Sequence, residues 1–127
     1  MNENDFSKVD KIVRETGCRG KECLGKGCQL EGADFSNQDL RGFIFNNANL
    51  RGADFRGANI DDAQFIETDL TGANLETNLI YSYFTDALLE NATYDSRLKV
   101  TPNLISRIFG STGITDPKEK GMLDIRD

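Results

Sequence analysis

Histidine and tryptophan are absent from these 127 residues, and proline and methionine occur only twice each. Without histidine the chain can form neither a Ser-His-Asp nor a Cys-His catalytic pair. Only 38% of the residues are hydrophobic, and no apolar run approaches the length of about 20 residues that a membrane span needs. The first fifteen residues are charged throughout and lack the apolar core of a signal peptide. We therefore expect a cytoplasmic chain with no catalytic residues, no cofactor and no metal.

The acidic charge is concentrated in the middle of the chain. Residues 30–95 carry 12 acidic and 3 basic residues, which gives a net charge of −9, whereas residues 1–29 sum to +1 and residues 96–127 to +2. Nucleic acids and anionic membranes attract clustered lysine and arginine, which this region lacks. We expect no nucleic-acid or membrane binding, and solvated carboxylates with ordinary pKa values.

A five-residue repeat runs through the same region. Every fifth residue is large and apolar, the residue two places earlier is usually Ala, and Asp or Asn most often lies between them. Neither a helix nor an alternating strand keeps every fifth residue on one side, but a short extended piece followed by a turn does. The large apolar positions are Leu30, Phe35, Leu40, Phe45, Leu50, Phe55, Ile60, Phe65, Leu70, Leu75, Leu79, Phe84, Leu89 and Tyr94.

The identities of these residues repeat with a second period of 20. Leu30 recurs as Leu50, and Phe45 recurs as Phe65. Near residues 76–77 the five-residue spacing drops once to four, so the longer period becomes 19 there. Stacked coils of four pentads would place like residues on like, and the dropped residue predicts a local pinch in one coil.

The pattern A-(D/N)-L-x-x resembles that of the pentapeptide-repeat family and covers about half of the chain. The resemblance implies an all-β fold, namely a right-handed quadrilateral parallel β-helix that is capped by short α-helices at one or both ends. Phe43, Gln38 and Thr68 depart from the pattern at the small position. We expect Phe43 to distort its turn or to point outward.

These features predict three segments. Residues 1–29 contain an N-terminal capping helix and an irregular first coil with cysteines, and residues 30–95 form the β-helix. Residues 96–127 contain a C-terminal capping helix, with Thr101 as its N-cap candidate and Gly110 after its last apolar residue, followed by a mobile polar tail.

Three cysteines, Cys18, Cys23 and Cys28, recur at a spacing of five that matches the small inward position. Our first interpretation is buried thiols in the place of Ala. The alternative is a disulfide between Cys23 and Cys28, which a cytoplasmic setting disfavours. A structural zinc site prefers closer ligand spacing and a fourth ligand, so we expect none.

One face of the predicted coil breaks the rule of polar outward residues. Stacking would join its apolar side chains into a continuous strip, and such patches often mark interaction surfaces. We predict that this strip binds a protein partner or a second copy of the chain, although the C-terminal tail could instead fold over it. The strip consists of Ile44, Ile66 and Tyr83, with Ile80 and Tyr81 at its edge and Leu88 just beyond.

Two functions therefore compete. The first is a non-enzymatic interaction or scaffold module of unknown biological role. The second follows from the resemblance, because some pentapeptide-repeat proteins mimic DNA and inhibit type II topoisomerases such as gyrase. B-DNA carries one negative charge per about 1.7 Å, and the acidic charge of residues 30–95 is of similar density along a column of about three to three and a half coils, roughly 16 Å long.

Overall fold

Parallel β-bridges define the path of the chain in the computed structural model, which describes residues 28–79, 81–97 and 116–127. The bridges join residues 20 positions apart, as between Asp34 and Asp54. Beyond the predicted slip the separation is 19, as between Gln64 and Tyr83. Because bridged segments of the backbone lie about 4.8 Å apart, each 20-residue coil stacks on the one before it. The predicted β-helix solenoid and its 20-residue coil are confirmed.

The residue that follows each bridging residue points into the solenoid. Four such residues occur in every regular coil, and we call the stacked sets rows. All of them are at most 8% exposed, and burying each large side chain stabilises the fold by about 1.5–3 kcal/mol. The first row is Leu30, Leu50, Leu70 and Leu89; the second is Phe35, Phe55, Leu75 and Tyr94; the third is Leu40, Ile60 and Leu79; the fourth is Phe45, Phe65 and Phe84.

Aromatic rings stack along the rows and meet edge-on between them. In the fourth row the rings of Phe45 and Phe65 have centroids 5.3 Å apart, and those of Phe65 and Phe84 are 4.9 Å apart and nearly parallel. Across rows, Phe55 meets Phe65 at 5.5 Å with an interplanar angle of 86°. These are the offset-stacked and edge-to-face arrangements that aromatic side chains prefer, so a narrow interior is filled by a few large rings.

Most pentads end in a tight turn whose second central residue has a left-handed backbone. At Gly52, φ is +66°, and the N–H of Ala53 donates to the Leu50 carbonyl at 3.0 Å, as in a type II turn. Asn, Asp or Glu takes this position in other pentads, and Glu67 has φ +56°. Because only glycine adopts this conformation without steric cost, Glu67 is the least suited of these residues.

The predicted slip is built around Thr77. Its N–H donates to the Leu75 carbonyl at 2.8 Å, two residues earlier, which closes a shorter turn. Its hydroxyl donates to the Ala58 carbonyl at 2.6 Å. In the preceding coil the equivalent carbonyl, that of Gln38, accepts from a backbone N–H at 2.9 Å. A side-chain hydroxyl therefore takes the place of one ladder hydrogen bond, and the turn is shorter at the predicted slip.

The three departures from the pattern are accommodated without breaking the coil. The N–H of Phe43 donates to Leu40 at 3.1 Å, so its turn stays closed, and its ring packs against the core 5.8 Å from that of Phe45. Of the two outcomes expected at Phe43, the turn is not opened and the ring does not point away from the core. Thr68 is fully buried, and its hydroxyl donates to the Phe45 carbonyl at 2.7 Å. Gln38 is also buried, with its amide bonded to the Ser36 carbonyl.

The last residues of the chain extend the solenoid. Strand β1 (Thr93–Tyr94) pairs in parallel with strand β2 (Leu123–Asp124), which follows a 3₁₀ helix (Pro117–Lys120). Met122 is 3% exposed and belongs to the core. Residues 116–127 thus contain a 3₁₀ helix and a short closing strand that pairs with the solenoid, where a mobile polar tail was expected. The predicted capping helices and the segment that contains Cys18 and Cys23 lie outside the described residues.

Candidate protein-interaction surface

The bridging residues that precede each inward row point outward and stack between coils, and we call such a set an outward ladder. The outward ladder of the fourth row is the centre of the predicted strip. Ile44 bridges Gln64, and Gln64 bridges Tyr83, so these three side chains stack in successive coils. Ile44 and Tyr83 are half-buried. The side chain of Gln64 lies between them and accepts a hydrogen bond from the Asn46 amide at 3.0 Å. The apolar ladder is therefore interrupted and not continuous.

Ile66 lies beside this ladder, in the turn that follows Phe65. It stacks on Asn46 of the coil before, because its N–H donates to the Asn46 side-chain oxygen at 2.9 Å. The Ile66 carbonyl accepts from the N–H of Asn47 at 3.1 Å. Ile66 is half-buried. It therefore borders the ladder at the level of Gln64 and contributes an apolar edge.

The most exposed apolar side chains lie one coil further on. Tyr81 is 49% exposed and Leu88 is 58% exposed. The Tyr81 carbonyl accepts from the N–H of Asp62, and Leu88 bridges Asp69, so polar residues hold the equivalent positions one coil earlier. Together with Tyr83 and Ile66, these residues form what we call the tyrosine surface. Ile80 lies outside the described residues.

Two further exposed apolar residues were not predicted from the sequence. Leu123 is 51% exposed and Ile125 is 40% exposed. Leu123 lies in strand β2 and Ile125 in the turn that follows it, and this segment has no repeat period to reveal which side chains point outward. Leu123 bridges Thr93 on the outward ladder of the second row and is not part of the tyrosine surface.

Carboxylates rim the tyrosine surface without cationic partners. Asp62, Glu67 and Asp86 are exposed and form no ion pair with any described residue. Four arginines pair with carboxylates elsewhere, as in Arg41–Asp39 and Arg56–Asp54, both at 2.8 Å. No described arginine or lysine pairs with the three carboxylates at this surface.

A family profile described as "Pentapeptide repeats" matches eight copies of the repeat, over residues 28–65, 45–76 and 58–93. The chain belongs to the pentapeptide-repeat family. Similar solved structures include a pentapeptide-repeat protein from the thylakoid lumen of Arabidopsis thaliana, with 35% identity over 57% of each chain and a TM-score of 0.49. Another is a pentapeptide-repeat protein from Nostoc PCC 7120, with 24% identity over 92% of each chain and a TM-score of 0.49. The chain spans 57% of the length of the Arabidopsis protein. No curated protein matches this sequence.

The outward carboxylates of this pentapeptide-repeat solenoid are not all ordinary acids. At Asp54, burial is the largest influence and raises the carboxyl pKa, but hydrogen bonds and charge from Arg56 together outweigh it, so the pKa lies below its usual value. At Asp95, the hydrogen bond from Arg97 is the main cause of a lowered pKa. The expectation of ordinary pKa values is therefore wrong for these two residues.

Cys28 is the one cysteine in the described part of the chain. It holds the small inward position of its pentad, as predicted, and is 4% exposed. It is disulfide-bonded, and its partner lies outside the described residues. The interpretation of Cys28 as a free buried thiol is therefore wrong. Spacing alone could not decide this, because a thiol and a half-cystine fit the same small position.

An open cleft of about 470 Å³ adjoins the tyrosine surface at Leu88. Its other walls come from the turn at Thr71, from Glu90, and from Glu119 and Lys120 of the 3₁₀ helix. Within residues 28–79, 81–97 and 116–127, no group of three or more acidic, Cys or His residues could hold a metal ion. In the same residues no helix is long and apolar enough to cross a membrane.

Proposed function

We propose that this pentapeptide-repeat protein is a non-enzymatic interaction module and that the tyrosine surface is its binding site. One observation carries the proposal: Leu88 and Tyr81 are about half exposed at positions that the previous coil fills with Asp69 and Asp62. Exposed apolar groups that replace solvated carboxylates in an otherwise polar ladder favour a role in binding. Covering them removes apolar area from water at about 25 cal/mol per Å².

We also propose that the solenoid is a right-handed quadrilateral β-helix with helical caps at one or both ends. Four inward residues per coil support the four sides, and the right-handed sense and the caps follow from the family resemblance. Such a rod presents each outward ladder at a fixed register and suits a scaffold. A disulfide at Cys28 favours an oxidising compartment over the cytoplasmic location that the sequence predicted, because disulfides are rare in the cytosol.

The test uses substitutions that restore the repeat's own polar residue. Tyr83→Asn and Leu88→Asn each place Asn between a small residue and a large apolar one, as in Ala48-Asn49-Leu50. Both variants should therefore keep the fold. Leu123→Asn is the matched control, because Leu123 has similar exposure and also lies on an outward ladder, but away from the tyrosine surface.

The assay is capture of partners from a host extract by the immobilised protein, with far-UV circular dichroism to verify folding. We expect the double variant Y83N/L88N to lose the captured partner and L123N to keep it. Sedimentation velocity of the same variants reports whether a second copy of the chain is the partner. Retention of every captured protein and of the oligomeric state by Y83N/L88N would refute the proposal.

The second candidate function is mimicry of DNA toward a type II topoisomerase. The net charge of −9 over residues 30–95 supports it. Arg41, Arg51 and Arg56 weaken it, because each pairs with a carboxylate and dilutes the negative face. A gyrase supercoiling assay decides it: inhibition at micromolar protein would favour mimicry, and unaltered supercoiling would remove it.

A further inference from the structure

We infer that the partner of the tyrosine surface is a cationic amphipathic peptide segment of another protein. Its apolar side chains would cover Tyr81 and Leu88, and its lysines or arginines would pair with the carboxylates at the rim. This inference rests on the proposed function and adds the chemistry of the partner. It depends on where Asp62, Glu67 and Asp86 lie and on what surrounds them.

The three rim carboxylates are all at left-handed turn positions, with φ between +56° and +61°. The Asp62 N–H donates to the Tyr81 carbonyl at 2.6 Å, so Asp62 lies directly one coil before Tyr81. The Glu67 N–H donates to the Thr85 carbonyl at 3.0 Å, which places Glu67 one coil before Asp86. Asp62 therefore borders Tyr81, and Glu67 and Asp86 lie at the turn between Tyr83 and Leu88.

Glu67 and Asp86 hold equivalent turn positions in successive coils, about 4.8 Å apart along the column. Carboxylates on neighbouring coils repel each other, and a single cation placed between them would interact with both. The described part of the chain supplies no such cation. By contrast, Asp69 is paired with Arg51 at 3.2 Å. The rim thus combines unpaired negative charge with exposed apolar side chains.

The combination of charge and apolar surface selects the class of partner. Nucleic acids and anionic lipids are repelled by a carboxylate rim. A free metal ion would leave Tyr81 and Leu88 uncovered. An isologous dimer places the same patch on both copies, so the Glu67 and Asp86 carboxylates of one copy would approach those of the other. A segment with an apolar centre and basic flanks satisfies both features.

The test neutralises the rim while preserving the backbone. In the variant D62N/E67N/D86N, Asn replaces acids at turn positions where the chain already uses it, as at Asn47 and Asn91. The matched control is E31Q/D34N/E76Q, which changes the net charge by the same amount at positions away from the rim and from Leu88.

The probe is a 14-residue amphipathic peptide of leucine and lysine, compared with its counterpart in which glutamate replaces lysine. We expect the lysine peptide to bind the wild type and to bind D62N/E67N/D86N about tenfold more weakly, since three exposed ion pairs are lost. The control variant should bind within about threefold of the wild type. Affinity should fall as salt rises, because exposed charges are screened. The glutamate peptide should not bind.

Equal weakening in the rim variant and the control would overturn the inference, as would binding of the glutamate peptide. Unchanged binding to the rim variant would do the same. These outcomes are separable from failure of the proposed function. If Y83N/L88N loses the captured partner but D62N/E67N/D86N keeps it, the surface is a binding site for a partner that is not cationic. If Y83N/L88N also keeps it, the proposed site itself is wrong.

Discussion

Phe45 is the inward residue with the most aromatic surroundings, and its replacement by leucine tests whether ring packing stabilises the solenoid. Its ring centroid lies 5.5 Å from that of Phe35, 5.3 Å from Phe65 and 6.1 Å from Phe55, with Phe43 at 5.8 Å. Leucine is the inward residue throughout the first row. The substitution Phe45→Leu therefore fits the coil and removes only the ring.

The expected loss of stability can be worked out from these contacts. Each aromatic pair contributes about 0.5–1.5 kcal/mol beyond its buried area, and we take the lower value for each ring around Phe45. The smaller side chain also leaves roughly 25 Å³ unfilled, which costs about 0.6 kcal/mol. The free energy of unfolding should fall by about 2.5 kcal/mol. Phe84 meets one ring among the described residues, that of Phe65, so Phe84→Leu should cost about 1 kcal/mol.

Urea unfolding followed by circular dichroism measures both variants, and an unchanged m-value verifies that the comparison is valid. The difference between the two should be about 1.5 kcal/mol. Equal losses would show that ring packing contributes little beyond volume, and a larger loss for Phe84→Leu would contradict the assignment of Phe45 to the centre of the aromatic core.

The other predictions concern backbone strain, pH and cysteine chemistry. Glu67→Asn should raise the free energy of unfolding by about 0.5–1 kcal/mol in urea, because Asn tolerates the left-handed turn better than Glu; a loss would contradict the strain at that turn. Burial, followed by the charges of Asp116 and Asp124, raises the pKa of Tyr94 to about 12. The unfolded chain loses the Tyr94 proton near pH 10, while the folded chain keeps it. The free energy of unfolding should therefore fall as the pH rises from about 10 to 12, and it should fall less in Tyr94→Phe. An equal fall in the variant would exclude Tyr94 as the cause. Thiol titration of the denatured, unreduced protein should find one thiol per chain, because Cys28 is bonded and a disulfide within the chain uses two of the three cysteines; three thiols would exclude the disulfide.

Much of the solenoid could be predicted because its contacts are periodic. Residues 20 positions apart stack on each other, so the recurrence of Leu30 as Leu50 reveals the length of a coil. The single slip in the spacing likewise reveals the shorter turn at Thr77. The closing strand could not be predicted in this way. Leu123 pairs with Thr93 across 30 residues, and nothing repeats between them.

The candidate surface was predicted only in part, for a reason of register. Ile44 and Tyr83 precede their inward phenylalanines by one place, and the equivalent residue before Phe65 is Gln64. Ile66 follows Phe65 and therefore belongs to the adjacent turn. Counting positions within each pentad would have revealed the interruption. The exposure of Leu88 could not be read from the sequence, because it depends on what the end of the chain covers.

Hydrogen–deuterium exchange of the protein with and without its captured partner tests the central claim most directly, because it reports where on the solenoid the partner binds. We predict added protection in peptides that span residues 61–67 and 81–88, which carry the tyrosine surface and its rim. Peptides from residues 53–59, which lie on the second and third rows, should exchange at the same rate in both states. Protection of residues 53–59 with no change in 81–88 would contradict the account.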